Sequence, residues 1–188
     1  MDLPRIDGRV ALLGIGDTLR GDDGVGPRIA RALKFLPFSD NCLFVDAGVS
    51  PEAYTGTVRE FAPDLVLLVD AVEMGAPPGH VEWFEGWDSD QVSAWTHGLP
   101  LEVLAEFLDC RVMLLGIQPA TTDFGQQRLS PAVRAAARRL LVSLRQVLAA
   151  ECCDDCSRIH ADCPKGRGLR RSKLVRSPSM AEPQAADE

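Results

Sequence analysis

The stretch Val10-Ala11-Leu12-Leu13-Gly14-Ile15-Gly16-Asp17-Thr18-Leu19-Arg20-Gly21-Asp22-Asp23-Gly24-Val25-Gly26 decides the fold. An apolar run that breaks off into glycines and paired carboxylates is how a buried parallel strand delivers acids to a loop. The glycines permit the tight turn that a helix starting near Val25 requires. Asp22 and Asp23 therefore fall where open α/β sheets place ligands, outside the carboxyl end of a strand.

Working outward, apolar runs recur at Val10–Ile15, Cys42–Val45, Leu65–Val69 and Arg111–Ile117, and read as strands. Segments of helical period separate them: Val25–Leu36, Pro51–Phe61, Leu99–Leu108 and Pro131–Ala150, the last opened by Ser130 as N-cap with Pro131 at the first helical position. His80–Phe84 reads as a further edge strand, with an antiparallel direction allowed. The alternation predicts an α/β fold, a mostly parallel open sheet with helices on both faces.

Asp70 ends the run Leu65-Val66-Leu67-Leu68-Val69 and belongs at the same sheet edge as Asp22 and Asp23. His97, in Thr96-His97-Gly98-Leu99-Pro100, lies in a turn ahead of a helix and could reach that edge. Carboxylates together with an imidazole make an oxygen and nitrogen set suited to a borderline divalent ion such as nickel or zinc. Two carboxylates a few ångströms apart repel unless a cation or a proton intervenes. A divalent ion there can polarise a carbonyl, which serves amide hydrolysis. Each acid alone has a plainer reading as a helix cap or turn residue, and Asp22, preceding the helix, fits that role better than Asp23. Spacing alone leads only to a metal or phosphate site in an α/β domain.

Composition bounds the rest. The 188 residues carry a formal net charge of -7, which argues against a general nucleic-acid backbone binder. Met1–Asp7 has no basic segment followed by an apolar stretch, and no run approaches the ~18–20 apolar residues of a membrane span, so a cytoplasmic chain with no membrane insertion is expected. Of six cysteines, Cys42 and Cys110 stand alone in the body while Cys152, Cys153, Cys156 and Cys163 crowd together, which is not a secreted disulfide framework. Residues 1–150 read as the α/β domain and 151–188 as a Cys-rich, then basic tail, expected to be disordered from about Lys165 and conceivably from Cys152.

The motifs together resemble the hydrogenase maturation endopeptidases, which trim the C-terminus of the nickel-iron hydrogenase large subunit. Gly14-Ile15-Gly16-Asp17-Thr18-Leu19-Arg20-Gly21-Asp22-Asp23-Gly24 is similar to the family's opening glycine and acid motif. Val45-Asp46-Ala47-Gly48 and Val69-Asp70-Ala71-Val72 resemble its next two strand ends, and His97-Gly98-Leu99-Pro100-Leu101 its histidine segment. Gly116-Ile117-Gln118-Pro119, with Phe124-Gly125 and Leu129-Ser130, is most like the branch serving the hydrogenase of formate hydrogenlyase.

The resemblance covers about residues 9–148 and implies a three-layer αβα arrangement of the phosphorylase/hydrolase-like kind. It places the nickel-contacting and catalytic carboxylates on Asp23 and Asp70, and the third metal contact on His97. It implies a nickel-iron hydrogenase large-subunit precursor as partner, with nickel supplied by that substrate and an aspartic or a metal-assisted mechanism left open. One departure stands out: Asp17 occupies the place of the family's usual asparagine, so a side-chain donor is lost if the carboxyl is ionised. That departure keeps a second class in view, a non-catalytic nickel-sensing or hydrogenase-binding protein of the same fold.

Other signals are weaker. Gly14, Gly16 and Gly21 miss the dinucleotide spacing, the third position being Leu19, and two acids at a helix start oppose phosphate. Cys153, Cys156, His160 and Cys163 form a compact set that could hold a separate metal ion, against the plainer reading of a redox-sensitive tail. Trp83, Trp87 and Trp95 are candidates for partner contact, core packing being the commoner use.

Overall fold

A computed structural model describes residues 8–36, 40–85, 108 and 110–159, the last eleven of these as helix backbone. Five strands form one sheet: β1 (Val10–Ile15), β2 (Cys42–Gly48), β3 (Leu65–Ala71), β4 (Val81–Glu85) and β5 (Arg111–Ile117). Their spatial order is β2-β1-β3-β5-β4. β1 pairs in parallel with β2 and β3, and β3 with β5, whereas β4 closes the edge antiparallel to β5. The central strands β1 and β3 are apolar and buried along nearly their whole length, as a parallel sheet covered on both faces demands.

Three helices cover the sheet: α1 (Val25–Lys34), α2 (Thr55–Phe61) and α3 (Pro131–Ile159). The chain steps outward from β1 to β2 and then back across β1 to β3. Right-handed crossovers in opposite directions put α1 and α2 on opposite faces. The core divides accordingly. Val25, Ile29 and Leu33 of α1 and Val133, Ala136, Leu140, Leu144 and Leu148 of α3 meet Leu12, Leu67 and Leu115 on one face. On the other, Val58 of α2 and Leu108 meet Leu13, Leu68 and Leu114.

Several elements extend or divide what periodicity predicts. β2 continues three residues past Val45 to Gly48, and β3 runs to Ala71, so Asp70 is the penultimate residue of its strand. Pro51–Tyr54 forms a 3-10 turn before α2 rather than its first turn. The segment around His80–Phe84 is β4, and it is antiparallel. Ser130 caps α3, its Oγ accepting from the Val133 N–H at 3.3 Å with Pro131 at the first helical position.

α3 runs through Ile159, the last described residue, rather than stopping at Ala150. The continuation is physically reasonable: no glycine or proline intervenes until Pro164, so nothing in Glu151–Ile159 breaks a helix. Cys152, Cys153 and Cys156 thus lie on a helical backbone, whereas disorder was expected from about Lys165, with Cys152 as an alternative start. His160, Cys163 and the rest of the tail lie outside the described residues, as do Trp87, Trp95 and the expected helix Leu99–Leu108 apart from Leu108. No described helix is long and apolar enough to cross a membrane.

Candidate functional site

β1 and β3 are neighbours, yet the chain leaves β1 towards β2, so the crevice beyond their carboxyl ends is the topological switch point of the sheet. Glycines let the first turn of α1 press into it. A Cβ on Gly26 would lie 2.1 Å from the Val69 carbonyl oxygen and 2.4 Å from that of Ile15, and one on Gly14 would lie 2.1 Å from the Gly26 carbonyl oxygen. Only glycine at both positions allows helix and sheet backbones to approach this closely.

Asp22 and Asp23 occupy the 3-10 turn Gly21–Gly24 that leads into α1, and both are buried. Their roles differ. Asp22, at 0% exposure, is bound to the loop after β5: Oδ2 accepts from the N–H groups of Ala120 at 2.9 Å and Thr121 at 3.4 Å, and Oδ1 from that of Ser130 at 2.6 Å. Its own N–H donates to the Thr121 carbonyl. Asp22 is thus the structural acid of the pair, as expected, but it ties down the β5–α3 loop rather than serving the first turn of α1.

Asp23 has a different partner. Its Oδ2 accepts from the Asp17 N–H at 2.7 Å, which folds the loop after β1 around the carboxylate. Gly16 makes that loop possible. It has a φ of +130°, and a Cβ there would lie 1.8 Å from the Asp23 carbonyl oxygen and 3.7 Å from Asp70 Oδ1. One glycine therefore abuts the backbone of the first acid and the side chain of the second. Asp70 is fully buried, and its Oδ1 accepts from the Ala71 N–H at 2.7 Å. β3 also contacts the 3-10 turn bearing Asp23. Gly16 thus lies between the Asp23 backbone and the Asp70 side chain at one sheet edge, while His97 lies outside the described residues.

Asp17 turns out to be a local structural acceptor. Its Oδ1 receives the Leu19 N–H at 2.8 Å, a turn that an asparagine oxygen makes equally well. Among the described residues no three His, Cys, Asp or Glu side chains gather as a metal-holding group. Asp23 and Asp70 supply carboxylate oxygens and need further donors, from elsewhere in the chain or from a substrate, to hold a divalent ion.

Sequence reasoning assigned no role to Gln118, which is 3% exposed and directly follows β5. Its Oε1 accepts from the N–H groups of Met74 at 2.7 Å and Ala76 at 3.2 Å, and its Nε2 donates to Glu73 Oε1 at 2.7 Å. The signal was present, since a polar residue ending a buried strand is the pattern that singled out Asp70.

A profile of the hydrogenase maturation protease family matches residues 27–146. The chain is similar to the hydrogenase 3 maturation protease of Escherichia coli K12, with 35% identity over 117 residues that cover 60% of this chain and 74% of the relative. It superposes on the crystal structure of a [NiFe] hydrogenase maturation protease from Thermococcus kodakarensis KOD1 with a TM-score of 0.69 and 32% identity, covering 75% of this chain and 92% of that one. The solution structure of an Escherichia coli endopeptidase gives a TM-score of 0.64 and 30% identity, covering 73% and 90%. Fold, motif order and these similarities agree, and the chain belongs to the hydrogenase maturation protease family, as an endopeptidase.

Proposed function

We propose that this endopeptidase removes the C-terminal extension of a nickel-iron hydrogenase large-subunit precursor after nickel has been inserted, in the cytoplasm, with Asp23, Asp70 and His97 recognising the nickel. The metal belongs to the substrate, held there by cysteine thiolates, and is not a resident of this chain. The observation that supports the reading is that Asp23 and Asp70 are both buried at the switch point, with Gly16 against the backbone of one and the side chain of the other. Carboxylate and imidazole donors complement a divalent ion that already has thiolate ligands, because they fill its remaining positions without displacing sulfur.

Recognition of this kind sets the scissile amide beside the ion and turns a bimolecular encounter into a fixed geometry. Hydrolysis then adds water oxygen to the carbonyl carbon, breaks the C–N bond and passes a proton to the leaving amine. Nickel acts as the checkpoint, since an unloaded precursor offers the two acids no cation. Asp17 accepts the Leu19 N–H as an asparagine oxygen would, which supports the catalytic reading over a binding-only protein of the same fold.

Substitution tests the assignment. D23N, D70N and H97A, each shown to be folded, are expected to lose processing of a nickel-loaded precursor, read as C-terminal mass loss. Full activity in D23N or D70N would remove that acid from the site.

A further inference from the structure

The segment between β3 and β4 lies at the same carboxyl edge as Asp70 and begins two residues beyond it. Its course is set by one side chain. Gln118 receives the Met74 and Ala76 N–H groups on Oε1, and donates through Nε2 to Glu73 Oε1 at 2.7 Å and to the Pro119 carbonyl at 3.2 Å. Its backbone adds two bonds, the Gly79 N–H donating to the Gln118 carbonyl at 2.8 Å and the Gln118 N–H to the His80 carbonyl at 2.9 Å. The partners themselves fix which end of the amide is oxygen: two backbone donors face one atom, and a carboxylate and a carbonyl face the other.

We propose that Gln118 is a positioning residue for substrate engagement, its amide shaping Glu73–Ala76 into the rim that an incoming polypeptide meets beside Asp70. The inference rests on the proposed function for its substrate, and on hydrogen bonds alone for its geometry. Asp70 is held independently by strand pairing, opposite Gly116 of β5. The rim has no such support, because past Val72, whose N–H still reaches the Ile117 carbonyl, the chain leaves the ladder. Glu73 itself is exposed, and Gln118 Nε2 and the Gly75 N–H hold one of its oxygens, leaving the carboxylate oriented at the rim. A glutamate at 118 has the shape but not the donor, and would set a second carboxylate against that of Glu73.

The chemistry sets a charge-reversal cycle on the full chain. Q118E is expected to raise KM for nickel-loaded precursor about tenfold while kcat stays within about twofold, the signature of lost binding rather than lost chemistry. In E73Q/Q118E the amide and the carboxylate exchange places, which restores the side-chain bond and keeps an acceptor for the Met74 and Ala76 N–H groups while the Gly75 N–H and the Pro119 carbonyl lose their partners, so KM should recover in part, to within about fivefold of wild type. An unchanged KM in Q118E, or no recovery in the double variant, overturns the proposal. Hydrogen exchange on the wild-type chain needs no variant to fold: slow exchange at Met74 and Ala76 is expected, and exchange as fast as an open loop refutes the clamp. Wild-type processing in the same assay separates the claims, since its absence sinks the proposed function while exchange still reads the clamp.

Discussion

Asp22→Asn separates a structural acid from the neighbouring Asp23, which is proposed for the site. The wild-type carboxylate meets three backbone N–H groups, two on Oδ2 and one on Oδ1, at 0% exposure. An asparagine has only one acceptor oxygen. If that oxygen serves Ala120 and Thr121, its NH2 confronts the Ser130 N–H; if it serves Ser130, two donors are orphaned. At least one hydrogen bond to a charged group, of about 1.5–3 kcal/mol, is lost, and a buried donor is stranded at a further, partly overlapping cost of about 1–3 kcal/mol. The expected destabilisation is about 2–4 kcal/mol, a sizeable part of an ordinary domain stability of about 5–15 kcal/mol. At about 2–4 °C per kcal/mol for a chain of this size, Tm falls by roughly 4–16 °C. Urea titration is the assay, with a lowered midpoint and an unchanged m-value as the expected result. A loss below about 0.5 kcal/mol together with abolished processing would refute the reasoning, because it would place Asp22 in the chemistry instead of the frame.

Three further substitutions probe the loop and its frame. Gly16→Ala sets a Cβ 1.8 Å from the Asp23 carbonyl oxygen at a φ of +130°, so processing is expected to be lost, with a fall in stability read by thermal unfolding. Asp17→Asn keeps the acceptor for Leu19 and the backbone donor to Asp23, so kcat/KM on precursor should stay within about twofold of wild type. Ser130→Ala removes the α3 cap and is expected to cost about 1 kcal/mol in denaturant titration, with kcat unchanged.

Local chemistry was the legible part of this fold. The run Leu65–Val69 ending in Asp70 marked a buried strand with a carboxylate at its end, and Ser130-Pro131 marked the start of α3, because both signals lie within a few neighbouring residues. The long-range frame was not legible. Asp22 reads as an acid for its own helix, whereas its partners stand 98 to 108 residues away and nothing local announces them. Gln118 escaped for the same reason, its side chain reaching back 45 residues to Glu73. The extent of α3 was underestimated because a change in composition at Glu151 resembles a boundary, whereas no glycine or proline interrupts the chain from Glu151 to Ile159. The proposal of Asp23 rather than Asp22 rested on resemblance and on the position of Asp22 before the helix, and the three backbone N–H groups held by Asp22 are consistent with its structural role.

The most direct test of nickel-gated processing is a paired incubation of the purified chain with nickel-loaded and nickel-free large-subunit precursor from the same cell, followed by mass spectrometry of the precursor C-terminus. Mass loss confined to the loaded precursor is the predicted result. Equal cleavage of both, or none of a loaded precursor that another processing enzyme cuts, would contradict the claim that substrate nickel is what this site recognises.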